Sequence, residues 1–278
     1  MSNKLLGREH KTLSPFSEGG GRACLGDLKE YYRIRQAISR GKPLNNLSVH
    51  ELHILLLTPN DLQKMFLLGT IIVLPFTVFI VGAALQVAYS VFFPRFLLTR
   101  HFWTPDQIAH FNDVTLQSRK RHYFDKAILQ FFEKLENKSE NVDFARDFKK
   151  YGRISLEQQH SYESILNSSR LSLDKLRFVH MFFLGRSHGI IPLLNGELML
   201  KNRAALIKCL DAKLVNTNLY NLNAEELDIS LFVRQINARN FGKEAKVHAL
   251  DRWLKFSTRG PSKSDSWILH AILFDNHD

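Results

Sequence analysis

His50-Glu51-Leu52-His53 sets two imidazoles at i, i+3, a spacing at which one helix face can offer both to a divalent metal. A metal needs more ligands than that, and none accompany the pair. Cys24 and Cys209 are the only cysteines. No C-x-x-C, EF-hand loop, Walker spacing or G-x-S-x-G elbow is present. The paired acids Glu225 and Glu226 follow Asn223-Ala224 and read as helix-capping residues placed on the positive end of a helix dipole. His188, beside Gly189, reads as a turn residue, and "SEGGGR" (17–22) as a turn with no phosphate cradle after it. The sequence therefore predicts no catalytic residue, no metal site and no cofactor.

The chemistry that remains is charge. Formal net charge is +11 with 38 Lys and Arg against 27 Asp and Glu. A basic balance suits nucleic acid, an anionic membrane face or an acidic protein. Three groups of cations are candidates for holding an RNA-rich surface. They are Arg119, Lys120 and Arg121; Lys201, Arg203 and Lys208; and Lys243, Lys246 and Arg252. Clustered Lys and Arg bind phosphates mainly by displacing counterions, so such binding weakens as salt rises.

These cations follow an apolar segment. Between Lys64 and Arg95 run 30 residues, 65–94, without Asp, Glu, Lys, Arg or His. About 20 apolar residues suffice to cross a bilayer. The sequence predicts one transmembrane helix here, kinked at Pro75, with Thr70 and Thr77 near the backbone group that the proline frees. Pro94 is expected to end it. Gly82-Ala83-Ala84 offers a small patch for helix packing and a homo-oligomer, and Gln86 is a lone amide within the run. No ionisable group lies inside it, so an anchor is expected rather than an ion pathway. Basic residues are sparse in 45–64, where only Lys64 is found, and denser after Arg95, which predicts the C-terminal side inside.

The expected organisation is thus residues 1–64 with amphipathic helices, a transmembrane segment at 65–94 and a helical domain at 95–278. The fold class is mostly α. "LGDLKEYYRIRQAISR" (25–40) is spaced as an amphipathic helix for a membrane surface. Thr104-Pro105-Asp106-Gln107 and Asn223-Ala224-Glu225-Glu226 are helix starts, and Ser172 and Ser264 are further candidate caps. Two weakly similar units, 173–210 and 222–257, each read as helix, glycine-bearing turn, helix. Helix-turn-helix-like pairs of this kind can present basic residues to another macromolecule.

The order of these motifs resembles a known family. "ELHILLLTPNDLQKMF", the apolar run with "LPF" (74–76), and "FPRFLLTRHFWTP" (93–105) at its exit are similar to the LETM-domain proteins of the mitochondrial inner membrane, above all the short metazoan type. "LNAEELDISLFVRQINARNFG" with "LDRWL" is similar to that family's ribosome-binding-like region, through Leu222, Glu226, Leu227, Arg239, Gly242, Trp253 and Leu254. The resemblance covers roughly residues 45–275. It implies a mitochondrial inner-membrane protein with its C-terminal domain in the matrix. It further implies contact with the mitochondrial ribosome, through RNA or protein, in support of translation, membrane organisation and ion homeostasis. The alternatives are an oligomeric cation/proton antiporter component and a scaffold for inner-membrane complexes. The coiled coils and EF-hand-like segment of long family members have no counterpart in this sequence.

Overall fold

The computed structural model describes residues 18–73, 99–135, 139–151, 154–190, 195–259 and 264–275. Among them every regular element is a helix. Pro75, Gly82, Gln86 and Pro94, with most of the expected crossing, lie outside the described residues. No described helix is long and apolar enough to cross a membrane.

The chain begins with α1 (Glu18–Ser39) and α2 (Val49–Val73). The stretch expected to be a turn, 17–22, is helical from Glu18 onward, because α1 gains a tertiary surface there. Its Gly20 lies so close to the His101 carbonyl that an added Cβ would stand 2.7 Å from it. Cys24 meets Met65 while Arg33 meets Glu51, so α1 and α2 run antiparallel. Then come α3 (Pro105–Arg119), a π-helical turn (Lys120–Phe124), α4 (Asp125–Lys134), α5 (Ser139–Tyr151), and the short α6 (Leu156–Ser161) and α7 (Glu163–Leu166).

Two similar units follow. The first has a 3-10 turn (Leu173–Lys175), α8 (Phe178–Ser187) and α9 (Gly196–Leu214). The second has a 3-10 turn (Leu219–Asn221), α10 (Ala224–Val233) and α11 (Lys243–Thr258). Each short helix has 10 residues. The chain ends on α12 (Asp265–Asp275).

Local chemistry explains several of these boundaries. Thr104 Oγ1 accepts from the Gln107 amide at 3.3 Å while Gln107 Oε1 accepts from the Thr104 amide at 2.9 Å, with Pro105 at the first helical position. Asn223 and Glu226 build the same reciprocal cap on α10 at 2.8 and 3.2 Å. Such caps satisfy amides that a helix start leaves without partners. Ser264 Oγ accepts from the Trp267 amide at 3.0 Å and caps α12. Ser172 instead precedes the 3-10 turn, and its hydroxyl turns to Asp174.

The core is held together from both ends of the sequence. In α12, Trp267 to Leu269 and Ala271 to Phe274 are all buried, as expected of a helix that is apolar on every side. Phe274 meets Phe131 of α4 and Phe144 of α5 at ring separations of 4.9 and 5.0 Å, edge on. Trp267 stacks on Phe256 of α11 at 4.6 Å. Ile34 of α1, Leu47, and Leu52, Ile54, Leu55 and Leu56 of α2 belong to this same core. The segment that precedes the apolar run is therefore packed into the domain that follows it. His53 Nε2 lies 3.1 Å from Ser230 Oγ of α10, across 177 residues of sequence.

Candidate functional site

The proposed cations are divided by the fold into interior and surface groups. Arg119 ends α3 under the second unit, buried. Its Nη1 donates to Gln235 Oε1 at 3.0 Å, and its guanidinium lies 5.3 Å from the centre of the Phe232 ring. Burial pulls its pKa down to about 9. Gly189 gives it room: a Cβ there would stand 2.1 Å from Nη2. Gly189 also has φ +75, a left-handed conformation that suits glycine.

Arg203 is buried in α9. It donates from Nη1 to the Leu56 carbonyl at 3.4 Å and from Nη2 to the Val233 carbonyl at 3.2 Å. Pro59 lies inside α2 and supplies no amide to the carbonyl of Leu55, the residue next to Leu56. Arg203 serves that turn and the end of α10 together. Arg119 and Arg203 thus differ from the surface role expected of them, because their guanidiniums satisfy backbone and amide acceptors between elements.

Beside them lies a polar knot that sequence reasoning passed over. Arg234 is 0% exposed and donates from Nε to Asp211 Oδ1 at 3.0 Å. Trp253 Nε1 donates to Asp211 Oδ2 at 3.0 Å. Asp211 belongs to α9 of the first unit, and Arg234 and Trp253 to the second. The knot locks the two units into one arrangement. Its charges are paired and hydrogen-bonded, the condition under which buried charges are tolerated.

Four histidines, His53, His180, His188 and His270, likewise serve the interior. His53 is buried on Ser230 while His50 is exposed, so the two do not share a metal-binding face. Among the described residues no group of three or more His, Cys, Asp or Glu is placed to hold a metal ion. His188 closes α8, buried, with Nε2 2.9 Å from the Leu269 carbonyl. His180 and His270 meet at 2.9 Å through their Nε2 atoms, again in the core. Burial holds the pKa of His53 and His188 down to about 3, of His180 to about 2 and of His270 to about 4.

The other cations lie at or near the surface. Lys120 and Arg121 sit on the π-helical turn, Arg121 exposed. On α9, Lys201 pairs with Glu197 at 2.5 Å and Lys208 with Asp265 at 2.7 Å. On α11, Lys246 pairs with Asp228 and Arg252 is exposed. Lys243 differs: its Nζ donates to the Tyr220 carbonyl at 2.7 Å, so its amine meets a neutral acceptor. That bond brings the Leu219–Asn221 turn against the start of α11. Two aromatic side chains are exposed at this edge, Tyr220 at 57% and Phe241 at 43%. Arg239 stands nearby in sequence and holds Asp113 of α3 at 2.9 Å.

The edge formed by Tyr220, Phe241 and Lys243, with Lys246 next to it, is the best candidate site. It joins exposed rings to a cation, Lys243, that among the described residues is bonded to a backbone carbonyl rather than to a carboxylate. The aromatic part was missed from sequence. Its signal is two rings in short polar turns, "NLYNLN" and "ARNFGK", off any helical stripe. The residues that carry the family resemblance are mostly scaffolding for this edge. Leu222, Leu227, Trp253 and Leu254 are buried, Glu226 caps α10, and Gly242 is the N-cap of α11. A cleft between α3 and α10, lined by Asp113, Asp228 and Arg239 among others, has about 30 Å³ of space, enough for a water or two.

Comparison with known proteins identifies relatives by sequence. The chain is 26% identical over 263 residues to the LETM1 domain-containing protein 1 of Xenopus tropicalis, covering 91% of this chain and 74% of that protein. It is 24% identical over 223 residues to the human LETM1 domain-containing protein 1 and 25% to the bovine one, covering 77% of this chain and 60% of each of those proteins. No solved structure matches. The family described as "LETM1-like, RBD" matches residues 47–274, which include both the start of α2 and α12. With most of the chain matched, this protein belongs to the LETM1-like, RBD family.

Proposed function

We propose that this is a non-catalytic protein of the mitochondrial inner membrane whose helical body, in the matrix, binds the mitochondrial ribosome. By this reading it supports translation and membrane organisation, and through them ion homeostasis. The apolar run 65–94 holds it at the membrane. The observation that carries the reading is the exposed edge of the second unit. Tyr220 and Phe241 can stack on unpaired bases or aromatic protein side chains, and Lys243 can meet a phosphate. Membership of a family whose description names an RBD points the same way.

The test is co-sedimentation of the full chain with mitochondrial ribosomes across a salt series. Lys243→Glu is expected to weaken binding about tenfold, in line with the ~1–3 kcal/mol scale of single polar contacts to nucleic acid. Adding Lys246→Glu should weaken it further and flatten the dependence on salt. Melting of the variants is measured alongside, because Lys246 also pairs with Asp228. Binding that ignores salt, Lys243→Glu and Tyr220→Ala alike would refute this site.

A further inference from the structure

Helix α8 is turned inside out. Its sequence, "FVHMFFLGRS", has three phenylalanines, yet the side it buries carries His180, Leu184, Gly185 and Ser187. The polar groups on that side are satisfied. His180 meets His270 at 2.9 Å, and the Ser187 hydroxyl donates to the Phe183 carbonyl at 2.8 Å. Phe178, Phe182 and Arg186 follow i, i+4, i+8 on the opposite side, with Val179 beside them. Phe178 is 58% exposed and Val179 47%, while Phe182 and Phe183 are half-buried. Burial of apolar side chains is the main gain in folding. A helix that buries imidazoles and leaves rings in water is therefore shaped by something outside the fold.

The neighbouring helix brings cations to the same face. Arg186 Nη2 donates to the Tyr123 hydroxyl at 3.1 Å, and its guanidinium lies 5.0 Å from the centre of that ring. Lys126, exposed, holds its Nζ 5.4 Å from the centre of the Phe183 ring. Tyr123 meets Arg186 while Lys126 meets Phe183, so α4 and the π-helical turn before it run antiparallel to α8. Among the described residues neither Lys126 nor Arg186 forms an ion pair. The carboxylates of α4 are Asp125 and Glu133. Glu133 accepts from Gln130 at 2.6 Å at the far end of the face, where it lines a small cleft with two cations, Lys134 and Arg177.

Rings beside cations that no carboxylate holds suit a polyanion carrying flat apolar groups, which describes a nucleic acid strand. The spacing of the rings selects the kind of strand. The Phe178 and Phe182 ring centres are 6.3 Å apart. Bases in a continuous duplex stack follow one another at ~3.4 Å. Each ring therefore takes one base splayed from its neighbour, as single-stranded RNA offers and a duplex does not.

We infer that the face shared by α8 and α4 is a docking surface for single-stranded RNA, with bases on Phe178 and Phe182 and phosphates at Lys126 and Arg186. It shares no residue with the Tyr220–Phe241–Lys243 edge. The source of that RNA rests on the ribosome binding proposed above, whereas the chemistry of the face stands apart from it.

The experiment follows fluorescence anisotropy of a labelled oligouridylate, about 12 nucleotides long, with the detergent-solubilised full chain. Tyr220→Ala with Lys243→Glu is the background, so that the other edge is silent. Binding is expected to persist there and to exceed that of a duplex RNA of equal length. Phe178→Ala should weaken it about tenfold, the scale of one lost base stack. Lys126→Gln should flatten the dependence of log K on log salt by about 0.7, one phosphate's share on a single strand. Leu25→Ala, an exposed apolar change on α1, should leave it unaltered. In the unsubstituted chain, ultraviolet cross-links of the same probe are expected in the tryptic peptide Phe178–Arg186. Absent binding in the background, indifference to Phe178→Ala, equal binding of the duplex, or cross-links confined to other peptides would each overturn the inference. If Phe178→Ala weakens ribosome co-sedimentation but not oligouridylate binding, the face holds a protein and the inference also falls. Ribosome co-sedimentation that fails while oligouridylate binding holds would strike the proposed function alone.

Discussion

Removing the Asp211 carboxylate should weaken the protein more than any change at the candidate binding edge. Asp211→Ala takes the Asp211 carboxylate from the fully buried Arg234 guanidinium and from the Trp253 indole N–H. Breaking a buried ion pair by removing one partner costs about 3–5 kcal/mol. An unpaired buried donor costs ~1–3 kcal/mol more. The two losses belong to one network and do not simply add, so about 4–6 kcal/mol is expected. A domain of this size loses roughly 2–4 °C of Tm per kcal/mol. The expected fall in Tm is therefore on the order of 10–20 °C, read by far-UV circular dichroism of the detergent-solubilised full chain. The control is Asp211→Leu combined with Arg234→Met, which removes the charge along with its partner. That pair should recover most of the loss, since apolar replacements of buried ion pairs are often nearly neutral. A drop under about 3 °C for Asp211→Ala would refute the reasoning, being below ~1 kcal/mol. A double variant no more stable than the single one would also refute it.

Acid should unfold the protein through its buried histidines. His53, His180, His188 and His270 have folded pKa values of about 3, 2, 3 and 4, below the ordinary 6.5, chiefly because burial disfavours the charged ring. Their contribution is complete above pH about 6.5 and is lost as pH falls toward the folded values, at up to ~1.4 kcal/mol per pH unit for each ring. Tm should hold between pH 7 and 8 and drop steeply from about pH 6 toward 4.5; an unchanged Tm at pH 5 would count against this. Gly189→Ala combines a left-handed backbone, costing about 1–2 kcal/mol, with a clash against Arg119 Nη2 at 2.1 Å. Gly41→Ala has the backbone cost alone, because nothing lies near its added Cβ. Gly189→Ala should therefore melt lower than Gly41→Ala, and equal melting would show that Arg119 is free to move.

Much of the fold was legible in the sequence because its causes are local. The Thr104 and Asn223 caps act within three residues, and the apolar stripes follow the helix period. The two units of helix, turn and helix could be read as a faint repeat, and the motifs in order resembled the family that the comparison shows. Composition also fixed the basic balance. Tertiary structure decided which cations reach solvent. Arg119 and Arg203 look like Lys120 and Lys201 on paper, yet they face acceptors such as Gln235 and the Val233 carbonyl, placed by remote parts of the chain. It also decided that Glu18–Arg22 starts a helix, with Gly20 packed closely on the His101 carbonyl. Above all, hydropathy measures the affinity of 65–94 for lipid but carries no record of where its flanks meet. The His53–Ser230 and Asp61–Arg100 contacts join residues 177 and 39 positions apart. Such pairings arise when helices bury a common core, so only the folded chain reveals that residues 49–65 and 99–101 pack into one body.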